Sequence, residues 1–255
     1  MKNLFSYLDK RKSFRNFDPN LSVSSEELDM ISQYLDSIIG LNPTIKTAHK
    51  IVKASETSAK FGEYCLLFYS ESHSQQLLNA GYILEILDLY MASINIGACW
   101  YGLARTKEKT YQNLEYVIML AFGKVDLIEF RQSRSDYKRK LLTELWEGDF
   151  NQTIKELTIL APSACNSQPW RFKSSSSRID IYRKQSIKTI MPLGIRSHYN
   201  MIDMGIVIAF LIISLNQYQY HYKIELPIVF STKEDLVYIA SIIIYEEATG
   251  NDVKR

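Results

Sequence analysis

Two stretches of this chain are apolar almost all the way round a helix, and every other element is shorter and one-sided. In residues 75–96, Leu78, Tyr82, Ile86, Leu89 and Ile94 form one face, with Ile83, Leu87, Tyr90 and Met91 beside it. An apolar surface that wide predicts a long helix buried on most sides. Residues 199–215 repeat the character. Short apolar or aromatic runs predict strands at 64–69, 116–122 and 178–182, and around 222–230 and 237–245. Shorter helices are expected at 4–12, from Ser24 or Ser25 to about Ile39, where Glu27 offers a capping box, and at 150–160. Gly97 is read as ending the first long helix. Residues 41–57 are weakly patterned, as a loop or interrupted helix; 174–177 read as a polar loop and 246–255 as a frayed tail.

Set side by side, residues 25–122 and 150–245 run through the same order of helix, turn, strand, long buried helix and strand, although their letters barely match. That order suggests an internal duplication: one α+β domain over 1–255, built of two pseudo-repeats (about 1–149 and about 150–255), with the two long helices at its centre and antiparallel-type sheets.

Composition narrows the setting. A formal charge of +2 and a pI near 8.2 give no global electrostatic reason to expect nucleic acid or an acidic membrane surface. Cys65, Cys99 and Cys165 form no CxxC pair, which suits a reducing cytoplasm. The N-terminal residues lack the apolar run of a signal peptide. Residues 201–215 carry Asp203 and stop short of the ~20 positions a membrane span needs. His49, His73, His198 and His221 show no metal-ligand spacing. Asp203 is read as a packing-network residue and Cys165 as inert.

Residues 161–170, APSACNSQPW, stand apart from these elements. Two prolines bracket Ser163, Asn166, Ser167 and Gln168, short polar side chains that compete for backbone hydrogen bonds and so favour a fixed turn. A basic run, Arg131, Arg134, Lys138, Arg139 and Lys140, precedes it, opposed only by Asp136. By itself that run is equally a solvated charged segment or a phosphate contact.

Three segments together, RKSFRNF at 11–17, NIGACWYGLA at 95–104 and APSACNSQPWRF at 161–172, resemble the signatures of the FMN-dependent nitroreductase family. The SACN turn follows the Gly-rich segment here, an order that resembles a single-chain, internally duplicated branch in which one polypeptide mimics the family's homodimer. The resemblance implies a nitroreductase-like fold and one flavin site per chain. It implies FMN phosphate on Arg11 and Ser13 with Lys12 beside them, Arg15 at the ribityl and the N1/O2 edge, and Arg139 returning to the phosphate. It places Tyr101 and Gly102 as backbone donors near N5 and O4, and Pro162, Ser163, Ala164 and Asn166 along the opposite face. It implies NAD(P)H as co-substrate, reduction of nitroaromatics, quinones or similar electron-poor small molecules by alternating half-reactions, no side-chain acid or base, and a monomer. The other reading of the same segments is a flavin-binding protein without turnover, a store or sensor.

Overall fold

The computed structural model describes residues 4–245, and the tail expected at 246–255 lies outside them. A 3-10 turn at Leu4–Tyr7 opens the chain. Helix α1 (Ser25–Ser37) begins with the expected capping box, Ser24 and Glu27 each bonding the other's backbone N–H. Strands β1 (Thr47–Lys53) and β2 (Tyr64–Ser70) lead to helix α2 (Gln76–Ser93), followed by β3 (Ile96–Trp100), β4 (Thr110–Tyr111) and β5 (Leu114–Lys124). After the basic run come α3 (Leu142–Leu145), β6 (Trp146–Gly148) and α4 (Gln152–Thr158). The second half continues with β7 (Trp170–Ser175), β8 (Arg178–Lys184), α5 (Leu193–Gln217), β9 (His221–Glu225), β10 (Thr232–Lys233) and β11 (Leu236–Tyr245).

These strands form two sheets with one order of neighbours. The first runs β1-β2-β5-β3 with β4 on β5; the second runs β7-β8-β11-β9 with β10 on β11, and β6 adds a parallel edge next to β7. All remaining pairs are antiparallel. Between the sheets, α2 and α5 pack against each other through backbone. A Cβ on Gly81 would lie 2.0 Å from the carbonyl oxygen of Ile202, and one on Gly205 would lie 2.0 Å from that of Leu78. Each contact is the other with the helices exchanged, as an approximate two-fold relation requires. Helix α5 is long and apolar enough to cross a membrane, yet most of it is buried against protein, as a core helix is.

Three expectations need correction. Residues 47–53 are neither loop nor helix but β1, whose full seven-residue register with β2 is set by tertiary pairing. Its exposed positions, among them Thr47 and Lys53, break the apolar run by which a strand is recognised. Gly97 does not end α2: Asn95 takes the left-handed conformation there (φ 61°), and Gly97 lies within β3. Helix α5 also starts earlier than 199, because Arg196, Ser197 and His198 supply a polar first stretch that carries no apolar signal.

Candidate functional site

The free edge of β3 organises the site. Ser13 pairs with Ala98 as a parallel bridge, and the Phe14 N–H donates to the Ala98 carbonyl at 2.9 Å. Gly97 permits this approach, since a Cβ there would meet the Phe14 ring at 2.6 Å. Its role is thus packing against the N-terminal segment. The bridge sets Ser13 and Arg15 on the wall of a cavity of about 510 Å³. Trp100, Ile118, Ile202 and Ile206 supply its apolar lining, and Ser163, Ala164 and Cys165 of the turn close the other side.

The turn is held rigidly. Cys165, Asn166 and Gln168 adopt left-handed backbone angles of 51°, 51° and 49°, each costing about 1 kcal/mol for a residue with a Cβ. Hydrogen bonds from outside offset that strain. Asp203, on α5, accepts the Ala164 N–H at 2.8 Å, the Asn200 amide at 2.8 Å and the Ser167 hydroxyl at 3.4 Å. Ser163 Oγ accepts the Gln168 N–H, and Gln168 Oε1 accepts the Lys140 N–H. Burial pushes the Asp203 carboxyl up to about 7, against the three donors that favour its charge.

Of the expected site residues, Ser13, Arg15, Tyr101, Gly102, Pro162, Ser163 and Ala164 line the cavity. Four do not. Lys12 faces Glu129 at 3.3 Å. Asn166 points its amide at the Lys138 carbonyl, and Arg139 spends its guanidinium on Asn166 Oδ1 at 3.0 Å and the Leu160 carbonyl at 2.7 Å, so this pair braces the turn from behind. Arg139 Nε is buried without a partner, and burial lowers that guanidinium to about 10. Arg11 is 3% exposed and bonds Asp88 through Nε at 2.8 Å, with Glu85 at 3.6 Å. Only its Nη2 comes near the cavity wall, 3.4 Å from Ser13 Oγ. Burial opposes the Arg11 charge, but the two carboxylates raise its affinity for the proton still further.

The Tyr101 assignment also changes. Its backbone N–H donates to the Met119 carbonyl at 3.0 Å and is not free for a ligand; its hydroxyl accepts the Lys60 N–H. Gly102 is glycine because the Tyr199 ring lies where a Cβ would be, at 2.6 Å, while the Tyr199 hydroxyl donates to the Gly102 carbonyl. This bond clasps α5 to the loop after β3 across the cavity. Sequence reasoning passed over Tyr199, Phe61 and the 190–192 segment, all on the lining. Tyr199 carried the one available signal, an aromatic at the start of the second long apolar run. It likewise passed over Glu85 and Asp88, although two carboxylates one turn apart in an otherwise apolar buried helix call for a cation. Among the described residues no group of acidic, His and Cys side chains is placed to hold a metal ion.

A family model described as "Putative TM nitroreductase" matches residues 3–214, and the chain belongs to that family of oxidoreductases. Over 95% of this chain and 94% of the other, the fold is similar to a crystal structure of a "putative nitroreductase" from Thermotoga maritima MSB8, with TM-score 0.63 and 21% identity. A second solved structure, an FMN-dependent nitroreductase from Clostridium difficile R20291, aligns with 54% of this chain and 94% of its own at TM-score 0.39 and 14% identity. No curated protein matches the sequence.

Proposed function

We propose that this chain binds FMN in the cavity between Arg15 and the 161–170 turn and uses NAD(P)H to reduce small electron-poor acceptors such as nitroaromatics or quinones. The observation that carries this reading is the cavity itself: an apolar slot with one cationic edge, walled by two segments about 150 positions apart in the sequence. The residues present suit a flavin. Trp100, Ile118, Ile202 and Ile206 can sandwich a planar ring and exclude water from it. Arg15, which has no carboxylate partner among the described residues, offers a charge at the ring's polar edge. Ser13 Oγ, with Arg11 Nη2 behind it, marks the polar end for a phosphate.

When bound, FMN supplies the hydride and electron transfer, alternating between donor and acceptor. The chain's own part is binding and exclusion. Asp203 fixes the turn, Tyr199 ties the roof to the loop after β3, and the exposed apolar side chains of Leu103 and Ile190 at the lining favour an apolar or aromatic acceptor. Both walls come from one chain, which supports a monomer. The matching strand orders of the two sheets and the reciprocal glycine contacts support the internal duplication.

Purification decides the first step: the protein should be yellow, or become so with added FMN, and should oxidise NADH or NADPH when a quinone is supplied. Tight flavin that neither nicotinamide reduces would leave a storage or sensing protein. A protein that stays colourless with excess FMN would remove the site. Arg15→Gln with Ser13→Ala should weaken FMN by about 2–3 kcal/mol. Arg11→Ala is a poor probe, because it strips the cation from the buried Asp88 carboxylate and threatens the fold.

A further inference from the structure

Helix α2 buries two carboxylates against one guanidinium. Asp88 is 1% exposed, and its Oδ2 accepts from Arg11 Nε at 2.8 Å and from the Trp100 indole N–H at 3.1 Å. Glu85, one turn away and 0% exposed, has no donor in good hydrogen-bond geometry on either oxygen: the Trp100 indole N–H that faces it is committed to Asp88, and Arg11 Nε lies at 3.6 Å. Facing Glu85 are Arg11 from the N-terminal segment, Asp88 from its own helix, Trp100 from β3 and, further off, Arg139 from the basic run. An ionised carboxylate in that place would lack solvent and any donor not already given to Asp88, and Arg11, Asp88 and Glu85 together would carry a net charge of minus one.

We propose that Glu85 holds a proton in the folded protein, and that this proton leaves the Arg11 guanidinium able to attract an anion at Ser13. Asp88 alone orients Arg11, and its carboxylate balances that one cation. A second negative charge behind the guanidinium would cancel its attraction for a phosphate and turn the cluster repulsive. Glu85 is therefore a positioning residue whose neutral form sets the polarity of the cavity's polar end. Burial, only partly opposed by Arg11, raises the Glu85 carboxyl well above the usual carboxylate range, in the same direction. The anion half of the proposal rests on the flavin reading above; the proton half does not.

Two measurements separate those halves. The first is the FMN dissociation constant, followed upward from about pH 7, where the second ionisation of a phosphate monoester is largely complete, through the loss of the Glu85 proton. Across the pH interval in which the infrared carbonyl band of the Glu85 carboxyl is lost, wild-type affinity should weaken by about tenfold or more, while Glu85→Gln, which fixes the neutral form, should hold its affinity within about twofold. Wild-type affinity that stays flat while the band is lost or falls while the band persists, or a Glu85→Gln variant that declines in parallel, overturns the anion half. The second is the infrared carbonyl band of a protonated carboxyl in ligand-free protein at about pH 7, recorded in an Asp203→Asn background to remove the other raised carboxyl. The band should be present while Glu85 is intact and lost on Glu85→Gln substitution. Its absence while Glu85 is intact overturns the proton assignment, even if Glu85→Gln does not fold and whether or not FMN binds.

Discussion

Two turns precede the first sheet strand of each half, and they are anchored alike but built differently. In the second half Asp203 Oδ1 accepts the Ala164 N–H; in the first, Asn79 Oδ1 accepts the Asn42 N–H at 3.1 Å. Both anchors stand two positions before the glycine where α2 and α5 touch, Asn79 before Gly81 and Asp203 before Gly205. The first-half turn closes on itself: Asn42 Nδ2 donates to Gln75, Asn42 Oδ1 takes both the N–H and the hydroxyl of Thr44, and the Asn79 side chain sits where a Cβ on Gly40 would be. The second-half turn is longer, strained at three residues and open toward a cavity. The same scaffold position thus serves plain closure in one half and the wall of a cavity in the other, and the change from amide to carboxylate accompanies it.

The largest test of this pairing is at the crossing. Gly81→Ala and Gly205→Ala each drive a methyl into a backbone carbonyl that cannot rotate away, so both should cost about 3 kcal/mol or more in urea unfolding. A large cost at one and none at the other would break the two-fold relation. Next, Asp203→Ala removes the acceptor of the Ala164 N–H and the Ser167 hydroxyl and one of the two acceptors of the Asn200 amide, for a loss of about 2–4 kcal/mol. Asn79→Ala, which frees one backbone N–H from its acceptor, should cost about 1–2 kcal/mol by the same measurement. Third, the anchors should differ in pH response. Because burial raises the Asp203 carboxyl to about 7, its contribution is fully present below the ordinary carboxylate range and is lost as pH climbs through 7. Asp203→Asn should flatten that decline in denaturation midpoints taken between about pH 4 and pH 8, and Asn79→Asp should introduce one of the same sign. The smallest effect is at Gly40→Ala, which meets only the movable end of Asn79 and should cost about 1 kcal/mol.

The legibility of the chain followed the same physical divide. Helices α2 and α5 and strands β2 and β5 announced themselves because their burial is nearly complete, so composition alone marks them. Strand β1 did not, because it sits at the sheet edge with exposed Thr47 and Lys53. Strand β7 did not, because Trp170 and Phe172 read as the end of the turn. Ser13, Arg15 and the 162–164 segment were visible through their motifs, which are contiguous. Tyr199 on Gly102, Arg11 on Asp88 and Arg139 behind Asn166 were not, because each pairs residues far apart in the sequence, where only the fold decides the partner.

The reciprocal glycine contact also bears on how the chain is made. Gly81 finds its seat only when Gly205 arrives, roughly 120 residues later, and a ribosome adding about 5–20 residues per second takes on the order of ten seconds to deliver them. Throughout that interval the side of α2 that α5 will cover stays exposed, so the first half cannot complete its core before the second is made.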